Sequence, residues 1–125
     1  MADNVFVVLT NPITGEDDRF NEWYDTTHIP QVLNVPGVVA AQRYEVSEVT
    51  VPDDKDLPAT LPPPTHRYMV IYELDRDPNE VMQEFLARVI AGRLTLGETL
   101  DLTTISLTGW IPRGKSQRAA VRESA

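Results

Sequence analysis

The chain has 125 residues, of which 42% are hydrophobic and 24% charged, a size and composition that predict one globular domain. It contains no cysteine, which excludes disulfide bonds, thiol catalysis and cysteine-bound metals. The net charge of −8 argues against nucleic acid as a partner, because an acidic surface repels a phosphate backbone.

The first strand and the first helix are marked by a change from β-branched residues to turn residues. Residues 4–10 are apolar on both alternating faces, which indicates a central strand covered on both sides. Thr14 and Asp17 have the spacing of a capping box, so a helix is predicted to begin there. Because Ile29 precedes Pro30, we expect this helix to end near His28.

The first helix carries the cluster Phe20-Asn-Glu-Trp-Tyr-Asp-Thr-Thr-His-Ile-Pro30. At about 100° per residue, Tyr24 and His28 share one stripe of the helix, and Asp25 precedes His28 by one turn. An imidazole beside a phenol and a carboxylate has the groups that proton transfer requires. The same pattern also suits a helix that packs the core while His28 caps its last turn, and the spacing leaves both interpretations open.

The remaining elements follow from alternation and turn signals. Strands are predicted over 38–46, 66–74 and 104–111, and a helix begins at Pro78 with Asp77 as its N-cap. Residues 50–65 hold five of the ten prolines, which indicates a long hairpin loop. The stretch 94–103 is ambiguous, and a short helical turn over 97–100 is one interpretation.

The order βαββαβ predicts an α+β fold, with a four-stranded antiparallel sheet and both helices on one face. The other face also carries apolar residues, so we expect a homodimer in which two sheets face each other. Residues 1–112 are assigned to this domain and 113–125 to a flexible basic tail. With no apolar run of membrane-spanning length and no leader, a cytoplasmic protein without membrane contact is expected.

The helix motif and the following Val35-Pro-Gly-Val-Val-Ala-Ala-Gln-Arg-Tyr44 resemble the EthD-like branch of the dimeric α/β-barrel superfamily, which has a ferredoxin-like fold. The family pattern is an aromatic residue, an aspartate, a histidine and a proline on the first helix. A Pro-Gly turn and a strand ending in arginine or tyrosine follow, and all of these are present. The similarity covers roughly residues 4–112. Relatives include lactone isomerases, polyketide cyclases, cofactor-free oxygenases and haem-degrading enzymes, so the resemblance does not fix one reaction.

The resemblance implies a cavity between the helices and the sheet of each subunit, with the first-helix histidine facing it. Carried to this sequence, His28 becomes the catalytic acid or base, with Tyr24 as hydrogen-bond donor to a substrate oxygen and Asp25 to orient the ring. A packing role for Tyr24 and a solvent-exposed Asp25 remain open. The candidate substrate-binding residues are Asn11, Trp23, Tyr68 and Tyr72.

The expected function is that of a small cofactor-free enzyme of catabolism or secondary metabolism. It would transfer protons on an apolar, carbonyl-containing small molecule, as an isomerase, cyclase, dehydratase or lyase. One alternative is a cofactor-free or haem-dependent oxygenase, with His28 as axial ligand of the haem. The other is a non-catalytic dimeric binding or accessory domain with a closed cavity. Two distant histidines without clustered carboxylates predict no metal site within one chain.

Overall fold

The computed structural model describes residues 3–52, 56–58 and 60–121. The strands are β1 (Asn4–Thr10), β2 (Val38–Glu45), β3 (Tyr68–Leu74) and β4 (Ser106–Trp110). One continuous helical segment consists of α1 (Asp17–Trp23), a π-helical turn (Tyr24–His28) and α2 (Ile29–Leu33). The last long helix is α3 (Pro78–Ile90), and a 3₁₀ turn (Leu102–Thr104) precedes β4.

The four strands form one antiparallel sheet in the order β2-β3-β1-β4. The two central strands pair along their whole length, with Phe6 opposite Tyr72 and Val8 opposite Val70. With the helices between the strands in the order βαββαβ, this is the α+β, ferredoxin-like fold that the sequence predicted. The observed strand bounds agree with the predicted ones within two residues.

The core lies between the sheet and the helices. On β3, alternate side chains from Tyr68 to Leu74 are buried, as their period of two predicted. The helices contribute Phe20 from α1, Val32 from α2 and Val81 from α3, each less than 4% exposed. Burying a side chain of this size contributes about 1.5–3 kcal/mol to folding, so the helices are held mainly by this layer.

The predicted end of the first helix at His28 is wrong, because the chain remains helical to Leu33. The N–H of Ile29 donates to the carbonyl of Tyr24, five residues back, which is the hydrogen bond of a π-helical turn. Pro30 cannot donate a backbone hydrogen bond, and a wide turn directly before it leaves room for its ring. Ile29 therefore keeps a helical backbone although it precedes Pro30, because the π turn holds one extra residue.

The predicted capping box of the first helix is also absent, whereas that of the second helix is partly present. The N-cap of α1 is Glu16, without a side-chain capping bond. At α3, the Asp77 carboxylate accepts from the N–H of Asn79 at 2.7 Å, as a capping aspartate does.

The segment between α3 and β4 contains no helical turn at 97–100, which corrects that expectation. The turn lies at Leu102–Thr104, where the Asp101 carboxylate accepts from the N–H of Thr103 at 3.1 Å. Leu94, Thr99 and Leu100 of this segment are buried against the core.

The loop and the tail were two further expectations from composition. Among the described residues between β2 and β3 there is neither helix nor strand, and positions 53–55 and 59 of the proline-rich loop lie outside the described residues. Residues 111–121 are exposed and form no helix or strand, while 122–125 of the predicted tail lie outside the description. In the described parts of the chain, no helix combines the length and the apolar character needed to cross a bilayer.

The second face of the sheet carries apolar side chains and faces away from both helices. Because Phe6 and Tyr68 point to the helices, their neighbours point to this outer face, which includes Trp110 and Tyr44 at 57% and 46% exposure. Other apolar residues of the outer face partly cover one another and are half-buried. They are Val5, Val7, Leu9, Met69 and Ile71.

Candidate active site

A cavity of about 160 Å³ lies between the helices and the inner face of the sheet. Only four of the residues that line it carry polar side-chain atoms, namely Thr10, Tyr24, His28 and Tyr72. The others are valine, leucine, isoleucine, methionine and phenylalanine, and no charged side chain of the described residues lines the cavity. The cavity therefore offers a small number of polar contacts within an apolar wall, which is the usual composition of a small-molecule site.

The wide π turn places its first and last residues on the same cavity. Tyr24 is 2% exposed and His28 5% exposed, and their rings meet edge to face with centroids 4.9 Å apart. Trp23 stacks on the imidazole, with ring centroids 4.7 Å apart and a 24° interplanar angle. The indole in turn packs on Gly97, where an added Cβ would lie 2.6 Å from the ring. The imidazole thus contacts two aromatic rings.

The two nitrogens of His28 have different surroundings. Nδ1 is buried and has no hydrogen-bond partner among the described residues. A hydrogen bond with the Thr95 backbone raises the pKa of His28, as a carbonyl acceptor does. Because Nδ1 has no partner, we assign this bond and the proton of the neutral ring to Nε2, which leaves the lone pair on Nδ1.

Burial outweighs that hydrogen bond and lowers the pKa of His28 from 6.5 to about 4. The imidazole is therefore neutral at pH 7. The ring therefore does not titrate near neutral pH, because its surroundings decide its charge. A neutral ring can accept a proton in the reaction but does not begin as an imidazolium acid.

The two cavity tyrosines are neutral as well. Burial raises the pKa of Tyr72, and the neighbouring Tyr24 phenol raises it further. Burial also raises the pKa of Tyr24, opposed by the interaction with Tyr72 and by the charge of Arg43. The two phenols are close enough to influence each other, but no hydrogen bond of good geometry joins them, and the Tyr72 hydroxyl has no partner among the described residues.

Asp25 does not contact the imidazole. Its exposed carboxylate accepts from the Arg43 guanidinium at 3.0 Å, on the side of the helix away from the cavity. The expected orienting role is instead filled by the Thr95 backbone and the Trp23 ring. In the wide turn Asp25 does not share the face of His28, which a regular helical spacing had suggested.

Three of the four residues expected to bind substrate lie outside the cavity lining. Asn11 joins the loops, because its amide donates to the Thr65 carbonyl at 3.0 Å and its oxygen accepts from the Arg67 N–H at 2.8 Å. The Tyr68 hydroxyl donates to Asp17 at 3.0 Å. The Trp23 ring stacks on the imidazole of His28. Tyr72 alone of the four lines the cavity.

Arg43 is the residue near the site that sequence reasoning did not select. Its guanidinium lies 4.6 Å from the centre of the Tyr24 ring, a cation–π distance, and also donates to Asn21 at 2.8 Å. Its charge lowers the pKa values of Tyr24 and Tyr72, against the effect of burial. The sequence could have indicated Arg43, because alternation places it on the helix-facing side of its strand. A charge buried there requires a specific partner.

Thr10 was also missed as a polar lining residue. It is 1% exposed, and its hydroxyl has no hydrogen-bond partner among the described residues. A threonine that ends a strand is ordinary in sequence, so no pattern distinguishes it. Half-buried residues of α3 and of the segment before β4 line the side of the cavity nearest to solvent, and they are Met82, Phe85, Leu96 and Ile105.

The site fits neither a metal ion nor a haem. Within the described chain no three histidine, aspartate or glutamate side chains come together in a way that could hold a metal. A porphyrin needs more room than 160 Å³, since pockets for drug-sized ligands already measure about 300–1,000 Å³.

Comparison with known proteins supports the fold. No protein-family model and no curated protein matches the sequence. Among solved structures, an EthD family protein from Bacillus halodurans is similar with a TM-score of 0.51 and 17% sequence identity. The alignment covers 90% of this chain and all of that one. The resemblance indicated by the first-helix motif is thus confirmed for the fold, which this chain shares with an EthD family protein.

Proposed function

We propose that the protein is a cofactor-free enzyme that transfers a proton on a small apolar molecule carrying a carbonyl group. The observation that carries the proposal is that a neutral, buried His28 with an unpartnered Nδ1 and a Tyr72 with an unpartnered hydroxyl line the same otherwise apolar cavity. Buried polar atoms without partners are rare in stable proteins, and a substrate that bonds to both removes their cost.

The proposed reaction begins when the Nδ1 lone pair takes a proton from the carbon next to the carbonyl. The electron pair of the broken C–H bond forms the carbon–carbon double bond of an enolate, whose charge resides on oxygen. The Tyr72 hydroxyl, with Tyr24 beside it, donates to that oxygen, and its contribution grows as charge develops. The imidazolium, stabilised at Nε2 by Thr95, then returns the proton to another carbon, which completes an isomerisation.

The pKa of His28 sets the expected pH dependence. The base is active when neutral, so the rate should rise as pH increases through about 4 and remain level up to pH 8.

The two alternatives are less well supported. A haem-dependent oxygenase conflicts with the size of the cavity, while a cofactor-free oxygenase would use the same base to form a carbanion. A purely accessory domain requires a filled core, which an apolar cavity with unpartnered polar atoms does not support.

The test is proton exchange at carbon. Cyclohexanone, cyclopentanone and acetophenone are incubated in D₂O with the protein, and loss of the α-proton signal is followed by NMR. We expect exchange faster than in buffer, and a loss of about 10²–10⁴-fold in His28→Gln.

The matched control is His66→Gln, the same substitution in the other histidine. His66 bonds to the Thr104 carbonyl at 2.7 Å, away from the cavity, so this variant should keep the wild-type rate. Exchange no faster than in buffer for all three ketones, or equal rates in wild type and His28→Gln, would overturn the proposal.

We further propose that two chains associate through the outer face of the sheet. Support comes from its apolar members, with the indole of Trp110 57% exposed, since large apolar faces are seldom left open to water. Two copies of an antiparallel sheet can cover each other by a twofold axis, which satisfies both faces at once. In this proposal the domain that associates comprises residues 1–112, and the tail is separate from it.

A further inference from the structure

We infer that the cavity takes an uncharged molecule the size of one six-membered ring, with one carbonyl oxygen and a hydrogen-bearing carbon beside it. The inference rests on the proposed function, because it specifies the substrate class of the same site. Size, charge and the arrangement of polar atoms each contribute to it independently.

The volume sets the size of the ligand. A dry apolar cavity of about 150 Å³ in a protein core is known to hold one benzene molecule, so 160 Å³ accommodates about seven or eight non-hydrogen atoms. A second fused ring would have to displace the floor of the cavity, which consists of the buried strand residues Phe6 and Val8. Such close-packed residues do not move aside without strain.

The lining selects against charge. No charged side chain of the described residues reaches the cavity, and the chain as a whole carries −8. Arg43 lies close by, but its guanidinium is covered by the Tyr24 ring and already bonds to Asp25 and Asn21. A carboxylate or a phosphate would therefore be buried without a counter-charge, which is strongly unfavourable.

The polar atoms define how the oxygen is placed. The Tyr72 hydroxyl has no partner and can donate, whereas Nδ1 of His28 has no partner and accepts. A carbonyl oxygen near Tyr72 would accept a hydrogen bond from its hydroxyl, and the adjacent C–H would then lie near the Nδ1 lone pair that takes its proton. The rest of the ligand then contacts Met82, Phe85 and Leu96 through hydrocarbon only.

The experiment compares four ligands by isothermal titration calorimetry with the full-length chain. Cyclohexanone is the reference, methylenecyclohexane replaces its oxygen by carbon, cyclohexanecarboxylate adds charge, and 2-decalone adds a ring. Relative to cyclohexanone, we expect binding about tenfold weaker without the oxygen and at least about a hundredfold weaker with the charge. The bicyclic ketone should show no binding.

Two further measurements place the bound ligand and separate the possible failures. Nuclear Overhauser contacts from cyclohexanone to the methyl groups of Leu100 and to the His28 ring should place it in the cavity of the wild-type protein, and Tyr72→Phe should reduce the discrimination against methylenecyclohexane to about twofold. Binding of the carboxylate or of 2-decalone at the same contacts, as tightly as cyclohexanone, would overturn the ligand class while leaving the site intact. If none of the four binds, the ligand class is also wrong. If cyclohexanone binds there but does not exchange its α-proton, the proposed reaction fails and the inferred ligand class stands.

Discussion

At the scale of single residues, the charge of His28 follows from its surroundings and affects the stability of the fold. In the unfolded chain this imidazole has its ordinary pKa of 6.5, whereas burial lowers the folded value to about 4. Above pH 6.5 neither state is protonated, so the residue contributes no pH dependence there. As pH falls from 6.5 to 4, protons bind the unfolded state preferentially, and stability is lost.

The loss attributable to His28 should reach about 2–3 kcal/mol between pH 7.5 and 4.5, because each pKa unit corresponds to about 1.4 kcal/mol. Urea unfolding of wild type and His28→Gln at both pH values measures it. The variant lacks this titration, so its stability should decline less than that of the wild type by the stated amount. Parallel declines in the two proteins would mean that His28 keeps an ordinary pKa in the folded state.

At the scale of elements, the packing around His28 includes a contact between Trp23, the last residue of α1, and Gly97 in the segment before β4. Gly97 has φ +76°, and a Cβ added there would lie 2.6 Å from the ring of Trp23, which stacks on His28. Gly92 has φ +74° but no atom near the position of a Cβ. The two glycines share the backbone conformation and differ only in what surrounds them.

Gly97→Ala and Gly92→Ala should therefore separate packing from backbone strain. A left-handed alanine costs about 1 kcal/mol at either site. The alanine methyl at 97 must also displace the indole, which adds about 1–3 kcal/mol and loosens the imidazole. Thermal unfolding and the exchange assay should show lower stability and activity for Gly97→Ala than for Gly92→Ala, and equal values would show that the indole contact has no such effect.

The same scale shows what a sequence can predict. The strands, α3 and its Asp77 cap were predictable because alternation and capping are local properties. The wide turn before Pro30 was not, because proline ordinarily ends a helix and no local pattern announces an extra residue in it. The expected contact between Asp25 and the His28 ring fails for the same reason, because it was based on the spacing of a regular α-helix.

Within the site, residue types were predictable and their environments were not. His28, Tyr24 and Tyr72 line the cavity, but the neutral state of the imidazole depends on burial by residues distant in sequence. Thr10 and Arg43 were overlooked for the same reason: a buried hydroxyl and a guanidinium over a ring are properties of the assembled fold.

At the scale of the whole molecule, the proposed association through the outer face of the sheet can be tested by a single substitution. Val7 lies at its centre, opposite Ile71 of β3 and Thr108 of β4. A lysine there would place a charge between two facing sheets, so Val7→Lys should be monomeric, whereas the wild type should have twice the chain mass of 14.0 kDa.

Sedimentation equilibrium measures that difference. Val49→Lys is the control, because Val49 is 72% exposed outside the sheet and the same substitution there should leave the dimer intact. A wild-type chain that sediments as a monomer, or a dimeric Val7→Lys variant, would rule out association through this face.

The neutral imidazole with a free Nδ1 is the feature on which the proposed chemistry depends, and ¹⁵N NMR of histidine-labelled protein observes it directly. His66→Gln assigns the signals of His28 by elimination, since the chain has two histidines. Between pH 5.5 and 8 we expect one unprotonated tautomer with hydrogen on Nε2, and a shift of the Nδ1 signal when cyclohexanone is added. A ring that is charged at pH 7, or that carries its hydrogen on Nδ1, would contradict its role as the proton acceptor.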